Sequence, residues 1–186
     1  MSRPSNRGPS DFGLDNTADR SAIRSTRSEP RHMTPAELAA PEGEYYCPRC
    51  HAVWYKKAWH NDERRFSELS AQVLMARTCP ACRKETHDLP EGIVTMSGLA
   101  GWPKERRQEL LGLISNISER ARKRDPMDRI IKLVDRGNEI IVNTSENQLA
   151  VAIGNEVKRA LGGDLNIDFS HRDNDIARVI WIAKQA

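Results

Sequence analysis

Apolar positions in the last third of the chain change period twice, from strand to helix and back to strand. Glu139–Thr144 carries the β-branched run Ile140-Ile141-Val142, a strand pattern. Ser145-Glu146-Asn147-Gln148 has the form of a capping box. A helical stripe follows at Leu149, Ile153, Val157, Ala160 and Leu161, and it stops at Gly162-Gly163. Leu165, Ile167 and Phe169 then alternate as in a half-buried strand. Arg172-Asp173-Asn174-Asp175 reads as a turn, and Ile176–Ile182 returns as a strand. The order is β-α-β-β, ending in a hairpin.

Upstream, Pro103 opens a helix that runs to about Lys123, with Leu110, Ile114, Ile117 and Ala121 on one face. Asp125-Pro126 predicts a second helix through Met127, Ile130, Ile131 and Val134 to Gly137. Ile93–Met96 predicts a short strand. Phe66, Leu69 and Val73 predict a helix over Asp62–Ala76, with Asn61 as its N-cap. Residues 1–40 hold few apolar side chains, and a disordered tail is expected there, apart from one helical turn at Thr34–Leu38. Six arginines in that tail are nearly cancelled by five acids.

All four cysteines fall in two pairs, Cys47-Pro48-Arg49-Cys50 and Cys79-Pro80-Ala81-Cys82. Each Cys-x-x-Cys turn lets two sulfurs face one centre, and two such knuckles present four soft thiolates, the donor set of tetrahedral zinc. Between them lie 28 residues, more than the roughly 15–20 of common four-cysteine signatures, so the insertion carries its own element. Competing readings are redox pairs or disulfides. A redox pair is ordinarily single and sits beside a βαβ unit, whereas disulfides need an oxidising compartment. One structural zinc on Cys47, Cys50, Cys79 and Cys82 is the expectation, with a closed coordination sphere. His51 and His87 are weaker alternative ligands. Tyr45, Tyr46, Trp54, Tyr55 and Trp59 surround the first knuckle as the ring cover of a small core; Lys56 and Lys57 between them also suit stacking with single-stranded nucleic acid.

The fold class that follows is α+β. A disordered tail (1–40) precedes a zinc-ribbon-like module with a helical insertion (41–98), then a domain of two helices and β-α-β-β (99–186). Net charge is +3, but residues 101–137 hold ten Lys/Arg against six Asp/Glu, and residues 138–186 hold five against seven. The candidate nucleic-acid contacts are Arg120, Arg122, Lys123, Arg124 and Arg129, joined by Lys158 and Arg159. No apolar run is long enough to cross a membrane. The N-terminus lacks a secretory h-region, so a cytoplasmic location is expected. The best catalytic candidates, His87-Asp88 and Asp173/Asp175 near His171, have no nucleophile motif beside them, and no enzyme activity or small-molecule substrate is expected.

The series Ile140-x-Val142-x-Thr144, Leu149-Ala150, Ile153-Gly154, Gly162-Gly163 and Arg178-Val179-x-Trp181, behind Cys-x-x-Cys knuckles, resembles the nuclear export adaptors of the large ribosomal subunit. These form the nonsense-mediated-decay-three family, which has shorter bacterial relatives. The resemblance spans about residues 44–183. Full adaptors carry more Cys-x-x-Cys pairs and further domains, so the export role is not among its implications. It implies a zinc protein bound to RNA or to a ribosomal subunit, with ribosomal proteins among its partners. The alternative is a zinc-stabilised protein–protein adaptor that does not touch nucleic acid.

Overall fold

The computed structural model describes residues 43–72, 75–170 and 176–184. The expected tail and the turn at Arg172–Asp175 lie outside them, as does Val73 of the insertion stripe. Among the described residues are four helices and eight strands in two sheets, an α+β fold.

Strands β1 (Tyr45–Tyr46), β2 (Val53–Tyr55) and β3 (Ala58–His60) form a small antiparallel sheet in that order. Helix α1 (Glu63–Ser70) follows, starting from Asp62. Asp62, not Asn61, is the N-cap: its Oδ1 accepts the Arg65 backbone N–H at 2.9 Å, and that bond holds the carboxyl below the usual carboxylate range. Helix α2 (Pro80–His87) was not expected; Pro80 sits in its first turn, where the missing N–H costs nothing.

The larger sheet has the order β5-β6-β4-β8-β7, built from β4 (Gly92–Ser97), β5 (Ile130–Asp135), β6 (Ile140–Thr144), β7 (Asp164–Ser170) and β8 (Ile176–Ile182). Its neighbours pair antiparallel except β4 with β8. Strand β4 precedes residue 98 in sequence yet is the middle strand of this sheet. Helices α3 (Lys104–Arg124) and α4 (Asn147–Leu161) cover one face. From α3 come Leu110, Ile114, Ile117 and Ala121, and from α4 Leu149, Ala150, Ile153 and Val157. They bury against Val94, Met96, Ile140, Val142, Val179 and Trp181. Each large aliphatic side chain so buried contributes about 1.5–3 kcal/mol. On the opposite face Ile180 and Ile182 remain 44% and 48% exposed.

Two glycines set how closely α4 approaches this sheet. A Cβ on Gly154 would lie 2.5 Å from Val179 Cγ1. Gly163 has φ +84°, and a Cβ there would lie 2.4 Å from the Ile182 carbonyl oxygen. Beside it, the fully buried Trp181 donates its indole N–H to the Gly162 carbonyl at 2.8 Å.

The second helix expected over Asp125–Gly137 is instead a turn and a strand. Asp125 Oδ1 accepts the Met127 N–H at 2.8 Å, closing the turn. From Ile130 the chain pairs with β6, Leu133 facing Val142 and Val134 facing Ile141. The run Ile130-Ile131 with Val134 suits both periods, and the free ladder of β6 decides between them. The capping box also fails. Glu146 holds the cap position without a side-chain bond to the helix amides, while the Ser145 hydroxyl donates to the Met127 carbonyl and accepts the Arg129 N–H at 2.8 Å. Phe169, read as half-buried, is 44% exposed.

Candidate metal centre

The first knuckle closes because the Cys47 N–H bonds to the Ala52 carbonyl at 2.8 Å and the His51 N–H to the Cys47 carbonyl at 2.9 Å. His51 takes φ +66° to make this turn. Its imidazole stacks on Phe66 at 4.2 Å and is not among the clustered donors. His87 sits in the last turn of α2, away from the cysteines at its start. The second knuckle is that start: Cys79 caps α2, and its sulfur accepts the Cys82 N–H at 3.4 Å. The Cys79 N–H in turn points at Cys47 Sγ, also 3.4 Å away, and so draws the knuckles together.

The four sulfurs lie within 4.8 Å of one another, with Cys47–Cys82 at 3.8 Å and Cys50–Cys79 at 3.6 Å. Four Zn–S bonds of 2.3 Å at tetrahedral angles place sulfurs about 3.8 Å apart. The residues therefore fit one four-coordinate ion. Cys47, Cys79 and Cys82 are fully buried and Cys50 half-buried. Trp59 and Met127 pack against the cluster, and Trp59 lies 5.8 Å from Trp54.

Without a cation the cluster cannot ionise fully. Hydrogen bonds from the Cys47 and Cys79 thiols hold Cys50 far below the usual thiol range. The Cys79 thiol is pushed up by its bonds to Cys47 and Cys50 and by burial. Burial and the Cys50 charge raise Cys82 to about 11. A dication would relieve this competition, since each metal-bound sulfur is a thiolate.

Arg129 is the unexpected member of the site. Assigned from sequence to an exposed basic surface, it is only 9% exposed. Its Nη1 donates to Cys82 Sγ at 3.2 Å, Nη2 lies 4.0 Å from Cys79 Sγ, and Nε donates to the Pro126 carbonyl at 2.8 Å. Burial works against its charge, but the sulfur contacts outweigh burial and hold its pKa above the ordinary arginine value. Nothing in the adjacent sequence marks it out; its sulfur partners are 47 and 50 positions away.

The remaining cations divide into two groups. Arg120, Arg122, Lys123 and Arg124 are exposed at the end of α3. The Asn61 side-chain amide donates to the Arg122 carbonyl at 2.8 Å and the Lys123 carbonyl at 3.3 Å, fixing that helix end to the small sheet. Arg124 pairs with Asp128 at 3.4 Å. Arg122 also lines an open cleft of about 280 Å³ beside the sulfurs, with Arg49, Cys50 and Glu85. Lys158 and Arg159 are exposed on α4, where Arg159 pairs with Glu156. Among the described residues no hydrogen bond or ion pair links them to the α3 group.

Lys84, 18% exposed, ties α2 to the start of α4, reaching Glu91 at 2.7 Å and Glu146 at 2.8 Å. Burial raises the Glu146 carboxyl above its usual range, although Lys84 opposes this. Of the catalytic candidates, Asp88 accepts an ion pair from Lys132 at 2.9 Å; His171, Asp173 and Asp175 lie outside the described residues. No helix among the described residues is long and apolar enough to cross a membrane. No protein-family model, curated protein or solved structure matches the chain.

Proposed function

We propose that this is a non-enzymatic zinc-ribbon protein of the cytoplasm that binds structured RNA, ribosomal RNA foremost, as a short relative of the export adaptors. The observation that carries the reading is the Asn61 amide on the carbonyls of Arg122 and Lys123. It locks the ribbon to the end of α3 and so turns a fraying, basic helix terminus into a fixed surface with Arg120 and Arg124. With the backbone held at this corner, less backbone entropy is lost when the exposed cations meet phosphate. Zinc is the metal that suits four thiolates, and with all four positions filled by protein it stabilises the fold and has no place for a substrate.

The test is sedimentation with ribosomal subunits together with RNA affinity measured as salt rises. Phosphate contacts make log Kobs fall linearly with log salt. Affinity that stays flat with salt defeats the proposal. The half-exposed Ile180 and Ile182 favour a second reading, a protein–protein adaptor. Protein partners retained after nuclease treatment would support it instead.

A further inference from the structure

The turn between β2 and β3 holds two lysines in a conformation that lysine disfavours. Tyr55 pairs with Ala58, leaving Lys56-Lys57 as a two-residue loop. Their φ values are +50° and +63°. Such loops need positive φ at both positions, which Asn-Gly supplies at low cost and two Cβ-branching-free but long side chains do not. Both lysines are exposed, and among the described residues neither takes part in a hydrogen bond or ion pair. From Lys57 four residues of extended chain, about 13 Å, lead to Asn61 and so to the basic end of α3. Strain of this kind persists where the surroundings impose it, and it gathers at functional positions.

We infer that the Lys56-Lys57 turn is a phosphate-contact point, continuing the α3 cation surface onto the ribbon tip. This rests on the RNA reading and deepens it, because it names which part of the RNA the ribbon meets. The neighbouring ring is not a free platform for bases: Tyr55 has the Arg65 guanidinium 4.4 Å from its centroid and the His60 ring at 4.2 Å. The turn therefore grips backbone, and its contribution is independent of base sequence.

The experiment compares the full chain with two double variants, Lys56→Asn/Lys57→Gly and Lys56→Gln/Lys57→Gln. Zinc content, thermal midpoint and affinity are measured for a 20-nucleotide oligo(U) and for an RNA stem–loop. Replacing the strained turn by Asn-Gly should raise the midpoint by about 4 °C while weakening both RNAs. On oligo(U) the slope of log Kobs against log salt should drop by about 1.4, two phosphates' worth. The glutamine pair should lose the same affinity without the gain in midpoint. If the wild-type chain binds neither RNA, the RNA reading and this inference fall together. If it binds and both variants match it in affinity and slope, the inference alone is overturned. A lower midpoint in the Asn-Gly variant overturns the strain argument on which it stands.

Discussion

Replacing Arg129 by methionine keeps an unbranched apolar stem and removes the guanidinium with its charge and its hydrogen bonds. Four thiolates around a dication carry a net charge of −2, and the guanidinium beside Cys82 halves it. The 3.2 Å contact to Cys82 Sγ counts as a full charge-assisted bond; the 4.0 Å approach to Cys79 Sγ adds little. Hydrogen bonds to charged groups contribute about 1.5–3 kcal/mol. At 1.4 kcal/mol per tenfold, R129M should hold zinc about 10–100-fold more weakly, the range known for outer-shell partners of metal ligands. Competition against a chromophoric chelator gives the affinity, and the sulfur-to-metal absorption of the cobalt form reports the thiolates directly. R129K restores a point charge without the planar fork, so it should fall between the two. Wild-type zinc affinity in R129M would refute the reasoning and leave Arg129 as packing.

Cys79→Ser should abolish stoichiometric zinc and loosen residues 44–85 while the five-stranded sheet stays folded; metal analysis with hydrogen exchange separates the lobes. Gly163→Ala places a Cβ against the Ile182 carbonyl oxygen at φ +84° and should cost about 1–3 kcal/mol in urea unfolding. Gly112→Ala, inside α3 with nothing within 4 Å, should instead add about 0.5–1 kcal/mol. Zinc affinity should weaken as pH falls from about 8 to about 6. The sign follows from the Cys82 thiol, raised to about 11: a proton held that tightly must leave for the metal to bind, so each added proton competes. An affinity that is level across that range would count against thiolate ligation.

Local chemistry was readable in the sequence, and long-range partnership was not. Cysteine pairs declare soft donors wherever they stand, and the stripes of α3 and α4 repeat often enough to fix their period. The segment Ile130–Val134 is too short for its own pattern to choose, and β6 chose for it. Ser145 shows a capping sequence, but a backbone 16 positions upstream offers its hydroxyl a better bond. Arg129 reads as one more cation in a basic run until the fold sets it against sulfur. Asn61 sits at the corner that the pattern indicates but serves another helix, the carbonyl end of α3 and not the amide end of α1.

The position of β8 has a consequence for synthesis. Although it follows both β4 and β7 in sequence, it lies between them in the sheet. Until residues 176–182 have left the ribosome, β4 keeps one ladder open and β7 has no neighbour at all. Until β8 emerges the nascent chain therefore exposes an open edge of β4 and a wholly unpaired β7, the condition under which chains stick to one another. The metal lobe, whose four sulfurs all emerge by residue 82, can close long before.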